Sequence, residues 1–324
     1  MYTPSRTASF FILLSSFLAS AVNAQNIVLT NDDGWATAQI REQYQSLKDA
    51  QYDVILSAPA LDNSGTGSLS LPIIPPVLIP CEFNSCAIGS PGKGVDSVDP
   101  HINYVNGFPV DAARHGIETL APKFFGKKPD LVVSGPNIGG NDGLEVLISG
   151  TVGAAVEGEK QGVPSLAFSG VTNTRVSYKT LQSEPNSPGT LSAITYADLT
   201  THFVQTLLKG TPSGQRLVPN GAIINTNYPA LSFALGSKCS KPEDIKWVFS
   251  RLFQANDIFD HDIDTGCGTG NKLPDGKAVV ESEGCFASVV VLNSGTKLQA
   301  GEDAQTAVFK SLSGLGWTCW AESK

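Results

Sequence analysis

The sequence lacks the residues and motifs on which many enzyme classes depend. Its four histidines, His101, His115, His202 and His261, are scattered, and none is expected to be catalytic. No Cys-x-x-Cys pair occurs, which argues against a zinc site or thioredoxin-type redox chemistry. Neither a Gly-x-Gly-x-x-Gly turn after the first strand nor a Gly-x-Ser-x-Gly motif is present. Dinucleotide binding and α/β-type serine hydrolysis are therefore disfavoured.

Positive charge is also scarce. The chain carries 22 Lys and Arg against 30 Asp and Glu, a formal net charge of -8. Because an acidic surface repels long polyanions, no nucleic-acid polymer is expected as a partner. A small phosphate-ester substrate remains compatible with this charge if a metal ion supplies local positive charge.

Apolar runs of signal or membrane type are confined to the start of the chain. Arg6 precedes an apolar stretch over residues 10–22, and small residues surround a cleavage point after Ala24. This pattern predicts a signal peptide over residues 1–24. A membrane anchor is the alternative, but the run is short for a bilayer and is interrupted by serines. We expect residues 25–324 to be secreted, extracellular and without membrane association after cleavage.

Export is consistent with the cysteine content. The chain has six cysteines: Cys81, Cys86, Cys239, Cys267, Cys285 and Cys319. An even number in an oxidising compartment predicts disulfide bonds, although the sequence leaves their connectivity open. Cys81 and Cys86 are close enough in sequence to close one loop.

Alternating strand and helix patterns predict an α/β fold with a doubly wound, mostly parallel sheet. The predicted strands lie at 26–30, 52–58, 130–134, 165–169 and 222–225, and the predicted helices at 38–50, 109–120, 151–161 and 191–208. The core of a single domain therefore spans residues 26 to about 230. Residues 231–324, polar and rich in glycine at first, are predicted to form an extension with β-hairpins and a final helix.

Two adjacent carboxylates, Asp32 and Asp33, follow the first predicted strand in the turn Asn31-Asp32-Asp33-Gly34. Adjacent strand residues point to opposite faces, so both carboxylates can reach one ion only if the second has entered the turn. Oxygen ligands at the carboxyl end of a strand favour a hard cation such as Mg²⁺, Mn²⁺ or Ca²⁺. The alternative is an ordinary turn with a helix cap.

Three further loops carry polar groups after predicted strands or before a helix. Their candidate residues are Ser64, then Asn137 and Asn141, and then the helix-start sequence Ser149-Gly150-Thr151. Glycines would let the backbone approach a ligand, and free amides at a helix start favour an anion. A flexible loop and simple N-capping are the respective alternatives for the first and last of these loops.

Together these segments resemble SurE-like survival proteins. The resemblance rests on residues 27–34, 57–65, 107–111, 129–137 and 149–155, which occur in the family's order. It implies a Rossmann-like fold, often assembled as a homodimer or larger oligomer. It also implies a divalent-metal phosphatase acting on nucleoside monophosphates and related phosphate esters. The signal peptide suggests the branch of secreted, fungal-type acid phosphatases.

The resemblance also assigns roles to residues. It implies one Mg²⁺ or Mn²⁺ held by Asp32, Asp33, Ser64 and Asn137, with the two aspartates as catalytic residues. Ser149, Gly150, Thr151 and Asn141 would hold the phosphate. Departures from the family pattern occur at Trp35, Phe108 and Pro136 and affect loop geometry and substrate shape. A phosphate-binding protein without turnover is the alternative from another class.

A covalent phosphoaspartate enzyme is a further alternative. Its two aspartates would be spaced by one residue, whereas Asp32 and Asp33 are adjacent. Either aspartate could accept a proton from the attacking water, and the sequence does not distinguish them.

Overall fold

The computed structural model describes residues 25–172, 174–256 and 261–321. The predicted signal peptide, residues 1–24, lies outside them and stays a prediction. Within the described ranges no helix is long and apolar enough to cross a membrane.

The strands form one mixed sheet with a parallel centre. In chain order they are β1 (Asn26–Thr30), β2 (Asp53–Pro59), β3 (Lys93–Val95), β4 (Ile102–Val105), β5 (Leu131–Ile138), β6 (Ser165–Gly170), β7 (Ala222–Tyr228), β8 (Lys246–Ser250) and β9 (Phe286–Asn293). Across the sheet the order is β3-β4-β2-β1-β5-β6-β7-β9-β8. The strands from β4 to β7 in this order run parallel. The predicted mostly parallel α/β fold is confirmed.

Helices cover both faces of the sheet. They are α1 (Ala38–Asp49), α2 (Pro109–His115), α3 (Ala121–Phe125), α4 (Glu145–Ile148), α5 (Gly150–Lys160), α6 (Thr180–Ser183), α7 (Pro188–Gly210), α8 (Gly276–Glu281) and α9 (Glu302–Ser311). Successive residues of β1 face opposite layers: Ile27 and Leu29 pack with α1 and α7, whereas Val28 packs against the segment after α2. Because both faces of β1 are buried, its sequence is a continuous apolar run.

Two of the predicted elements differ most clearly from the structure. The helix predicted over 109–120 divides into α2, a π-helical turn at Gly116–Leu120, and α3. At the junction Gly116 passes so close to the sheet that a Cβ there would lie 2.6 Å from Val28 Cγ1. The strand predicted over 130–134 continues to Ile138, because pairing with β6 resumes at Asn137 after an irregularity. Asn137 is therefore a strand residue and not a loop residue.

The C-terminal extension belongs to the main sheet. A β-hairpin was the expectation for this part, and that detail is wrong: β8 and β9 pair in parallel. The reason is that α8 lies between them in the chain and provides the crossover that parallel strands require. β9 then pairs antiparallel with β7, so the extension completes one edge of the sheet. The predicted final helix is α9.

Disulfide bonds constrain two peripheral segments. Cys81 pairs with Cys86, as the spacing suggested, and Cys267 pairs with Cys319 across 52 residues. Cys239 and Cys285 are free thiols. The second bond attaches the segment after α9 to the loop that follows β8.

The strand order reverses between β1 and β5, so a crevice is expected at the carboxyl ends of these two strands. From β1 the chain proceeds outward through β2 to β4, and from β5 it proceeds the other way through β6 to β7. Open α/β sheets bind ligands where the strand order reverses in this way. The residues that follow β1, and those at the end of β5, converge there.

Candidate active site

The turn after β1 is built to bury two carboxylates. Asn31 donates its side-chain amide to the Gly34 carbonyl at 3.1 Å, and Gly34 has φ +100°, a conformation that glycine adopts at low cost. Asp32 is 2% exposed and Asp33 is 0% exposed. Buried carboxylates are rare unless hydrogen-bonded or bound to a metal, so their surroundings define the site.

Asp32 is held by the start of α5. Thr151 donates its backbone N–H to Oδ2 at 3.0 Å and its hydroxyl to Oδ1 at 2.7 Å. Gly150 makes this approach possible, since a Cβ there would lie 2.9 Å from Asp32 Cβ and 2.8 Å from Pro109 Cγ. The anion at this helix N-terminus is therefore the Asp32 carboxylate.

Asp33 is held from two other directions. The Ile138 N–H at the end of β5 donates to Oδ2 at 2.9 Å, and Arg175 Nη2 donates to Oδ1 at 3.2 Å. Arg175 Nη1 also contacts Asp62 Oδ2 at 2.6 Å. The guanidinium therefore bridges the turn after β1 and the loop after β2.

The loop after β2 contacts Asp32 through its backbone, but the side chain of its candidate ligand, Ser64, bonds to Asp62. Asn63 donates its N–H to the Asp32 carbonyl at 2.8 Å. The neighbouring Ser64 is exposed and donates both its N–H and its hydroxyl to Asp62 Oδ1, at 3.0 and 2.7 Å. Ser64 is therefore one residue away from the contact to Asp32, and its hydroxyl is bonded to Asp62.

Asn137 presents a buried amide oxygen that needs a partner. Its Nδ2 donates to the Gly139 carbonyl at 2.8 Å, which orients the amide. No hydrogen-bond donor among the described residues reaches Asn137 Oδ1. An unpartnered buried polar atom is costly, so this oxygen is suited to a ligand or ion that satisfies it. It lies next to the residue whose N–H binds Asp33.

The remaining predicted phosphate-binding residues are engaged by the protein. Asn141 donates its side-chain Nδ2–H to Ser169 Oγ at 2.7 Å. Its backbone carbonyl accepts from the side-chain Nδ2 of Asn225 and of Asn227, at 2.9 and 3.1 Å. Ser149 caps α5, accepting the Val152 N–H at 3.1 Å. Asn141 therefore contacts β6 and β7, whereas Ser149 stabilises the first turn of α5, which contacts Asp32 through Thr151.

Burial dominates the electrostatics of the carboxylate pair. It raises the pKa of Asp32, against the lowering effect of the two Thr151 hydrogen bonds. Burial also raises the pKa of Asp33 well above its usual value, and the charge of Asp32 raises it further. At Asp62 burial acts in the same direction, but hydrogen bonds from Arg175 and Ser64 outweigh it and lower the pKa. The charge of Arg175 lowers the pKa of Asp33, but burial and the charge of Asp32 outweigh it, so a bound cation would favour the ionised pair further.

The donor set fits a hard divalent cation. Two carboxylates, an amide oxygen and a nearby hydroxyl are oxygen ligands of the kind that Mg²⁺ and Mn²⁺ prefer. Within the described ranges no group of three or more His, Cys, Asp or Glu side chains is placed to hold a metal ion. The orphaned Asn137 oxygen supports the same fit.

Two residues of this site were missed at the level of sequence. Arg175 lies 142 positions after its partner Asp33, in a segment with no recognisable motif. Asp62 lies in the second candidate loop, but nothing marked it out from an ordinary loop acid. Only a prediction of which loops meet would have identified them.

The chain is similar to known proteins in its sequence. The sequence profile of the family described as Survival protein SurE matches residues 27–254. The chain belongs to the SurE family. The match covers the strands from β1, apart from its first residue, to β8, and it includes every residue of the candidate site.

Relatives within the SurE family carry enzyme names. An acid phosphatase from Yarrowia lipolytica is 36% identical over 288 residues, 83% of this chain and 79% of that protein. A 5'-nucleotidase SurE from Lawsonia intracellularis is 34% identical over 210 residues, 64% of this chain and 67% of that protein. The SurE protein from Aquifex aeolicus is similar in structure, with TM-score 0.53, 24% identity and coverage of 83% of this chain and 93% of that one. That last likeness concerns the fold alone.

Proposed function

We propose that this chain is a secreted phosphomonoesterase that needs one divalent cation, Mg²⁺ or Mn²⁺. Its substrates would be nucleoside monophosphates or related small phosphate esters. Membership of the SurE family, with relatives named acid phosphatase and 5'-nucleotidase, makes the chain a phosphoric monoester hydrolase. The observation that carries the cation requirement is the buried pair Asp32 and Asp33 beside the unpartnered Asn137 oxygen.

Asp32, Asp33, Asn137 and, after rotation of its hydroxyl away from Asp62, Ser64 would hold the cation. A bound divalent cation supplies Lewis-acid polarisation of a phosphoryl oxygen and lowers the pKa of a water molecule. Hydrolysis joins a water oxygen to phosphorus and breaks the ester P–O bond; the water gives up one proton, and the departing alkoxide takes up one proton from solvent to become the alcohol. Asp32 or Asp33 accepts the water proton.

The start of α5 would contribute to phosphate binding indirectly as well as directly. Thr151 fixes Asp32, and Ser149 fixes the first turn of the helix. Gly150 allows Asp32 and Pro109 to approach the helix start, because a Cβ there would lie 2.9 and 2.8 Å from their side chains. Asn141 anchors the neighbouring loop through its buried amide contacts. These residues hold the walls into which a small phosphate group would fit.

Secretion and self-association form part of the proposal. Residues 1–24 have the pattern of a signal peptide, and two disulfide bonds form in the described chain, as suits an oxidising compartment. The resemblance to the family is the basis for proposing a homodimer or larger oligomer.

The test uses the chain recovered from the medium of a secreting host. Hydrolysis of p-nitrophenyl phosphate and of AMP would be measured with Mn²⁺, with Mg²⁺ and with EDTA, for the unaltered chain and for Asp33→Asn. We expect EDTA to abolish turnover and Asp33→Asn to lower it at least about a hundredfold. Turnover that is unchanged by EDTA would refute the cation requirement. No turnover of any phosphate ester would favour a binding protein.

A further inference from the structure

Arg175 contacts three carboxylates from different segments of the chain. Its Nη2 lies 3.2 Å from Asp33 Oδ1, and its Nη1 lies 2.6 Å from Asp62 Oδ2 and 3.7 Å from Glu82 Oε1. Its side chain nevertheless remains 30% exposed. The guanidinium is therefore at the edge of the crevice, between solvent and the buried aspartates.

The backbone around Arg175 is anchored to the segment that leads from the turn after β1 into α1. The Thr174 carbonyl accepts from Gln39 Nε2 at 3.1 Å, and the Val176 carbonyl accepts the Ala38 N–H at 2.9 Å. Two residues further on, the Tyr178 N–H donates to the Ala36 carbonyl at 2.9 Å. Such anchoring on both sides fixes the position from which the Arg175 side chain extends.

The charge balance of the site calls for a cationic side chain. Asp32, Asp33, Asp62 and Glu82 surround the crevice, and the whole chain carries a formal net charge of -8. A phosphate dianion entering this field is repelled unless positive charge meets it, and one divalent cation offsets only two of the carboxylates. A planar guanidinium suits this task because it can bind two phosphate oxygens at once.

We propose that Arg175 contacts the substrate phosphate, and that its guanidinium competes with the cation for the Asp33 carboxylate. The inference rests on the proposed function, because it assumes a divalent cation at Asp32 and Asp33. A cation that ligates Asp33 competes with the guanidinium for Oδ1 and repels it. Arg175 is then free to turn from Asp33 toward the phosphate while Asp62 keeps its other nitrogen in place.

Two consequences separate this role from a structural one. Without the Arg175 charge, the cation no longer competes with a fixed positive group, so its affinity for the site rises. Without the guanidinium fork, the phosphate loses a direct contact, so phosphate affinity falls. A residue that only stabilised the loop would weaken both.

The first measurement is the affinity for Mn²⁺ without substrate. Binding is monitored through the electron paramagnetic resonance signal of the free ion. We expect Arg175→Met to bind Mn²⁺ roughly fivefold to tenfold more tightly than the unaltered chain, from the loss of one nearby positive charge. Arg175→Lys keeps the charge and should stay within about twofold. Arg216→Met is the matched control, since Arg216 pairs with Glu159 at the far end of α5.

The second measurement is inhibition by inorganic phosphate of the Mn²⁺-loaded enzyme. The inhibition constant should rise at least about tenfold in Arg175→Met and a few-fold in Arg175→Lys, and stay unchanged in Arg216→Met. If Arg175→Met does not fold, the Arg175→Lys result decides: an unchanged phosphate constant in that variant overturns the inference.

Different results overturn the role of Arg175 and the proposed function. Unaltered Mn²⁺ and phosphate binding in Arg175→Met, or weaker binding of both, overturns the role of Arg175 and leaves the proposed function intact. Absence of Mn²⁺ binding by the unaltered chain overturns the proposed function, and this inference with it.

Discussion

Thr151 donates both its backbone N–H and its hydroxyl to Asp32, one to each carboxylate oxygen. This pairing joins the first turn of α5 to the end of β1 and leaves Asp32 in one orientation. A carboxylate that must hold a cation benefits from such pre-organisation, because no rearrangement is needed when the ligand arrives.

Removing the Thr151 hydroxyl should loosen Asp32. In Thr151→Val the N–H contact remains, but Oδ1 loses its donor. We expect turnover to fall roughly tenfold and the free energy of unfolding to fall by about 1–3 kcal/mol. Steady-state kinetics and urea unfolding would measure the two effects. Thr151→Ser keeps the hydroxyl and should retain most activity; equal losses in both variants would contradict the assignment.

A side chain at Gly150 should displace Asp32. Gly150→Ala places a Cβ 2.9 Å from Asp32 Cβ and 2.8 Å from Pro109 Cγ, closer than packed atoms allow. The expected results are a loss of at least about tenfold in kcat/KM and a destabilisation of about 1–3 kcal/mol. Gly301→Ala is the control, because a Cβ there meets nothing within 4 Å. Wild-type kinetics in Gly150→Ala would show that Asp32 need not be so tightly placed.

Cation binding should stabilise the folded chain. A ligand that binds only the folded state at about a hundred times its Kd adds about 2.7 kcal/mol to the free energy of unfolding. We therefore expect Mn²⁺ to raise the melting temperature and EDTA to reverse the rise. Asn137→Ala should lose most of this rise, since its oxygen is the unpartnered ligand candidate. A full rise in that variant would remove Asn137 from the cation site.

Asp33→Asn should separate activity from stability. Asp33 is buried next to Asp32, and burial together with the Asp32 charge raises its pKa well above the usual value. Neutralising it relieves that repulsion while the Ile138 N–H can still donate to the amide oxygen. In EDTA we expect a melting temperature no lower than that of the unaltered chain, although turnover is lost. A large fall in melting temperature would indicate that the ion pair with Arg175 stabilises the fold by more than the repulsion between Asp32 and Asp33 destabilises it.

Asp142 should make stability depend on pH. Burial, followed by the charges of Glu145 and Asp275, raises its pKa from 3.8 to about 7. The folded chain therefore holds this proton more tightly than the unfolded chain. The stabilising contribution is full below about pH 4 and is lost as pH rises to about 7.

Replacing Asp142 with Asn should accordingly be close to neutral at pH 4 and stabilising by roughly 1–3 kcal/mol at pH 8. Unfolding in urea at the two pH values measures the difference. Asp49→Asn, at the exposed end of α1, is the control and should show no such trend. A constant effect of Asp142→Asn across pH would show that the carboxyl is solvated in the folded chain.

The sequence by itself determined the alternation of strands and helices and the position of polar turns at strand ends. Apolar runs such as β1 and the turn signal in Asn31-Asp32-Asp33-Gly34 are read from neighbouring residues, so they need no knowledge of the fold. The same local strings carried the resemblance to the SurE family. The candidate ligands Asp32, Asp33 and Asn137 were found in this way, and their role as cation ligands stays a prediction.

The tertiary structure alone decided which groups meet. Thr151 lies 119 positions from Asp32, and Arg175 lies 142 positions from Asp33. The parallel pairing of β8 with β9 likewise depends on a crossover through α8. Local patterns specify periodicity and turns within a few residues. Contacts across more than a hundred residues depend on the order of strands in the sheet, which no local pattern contains.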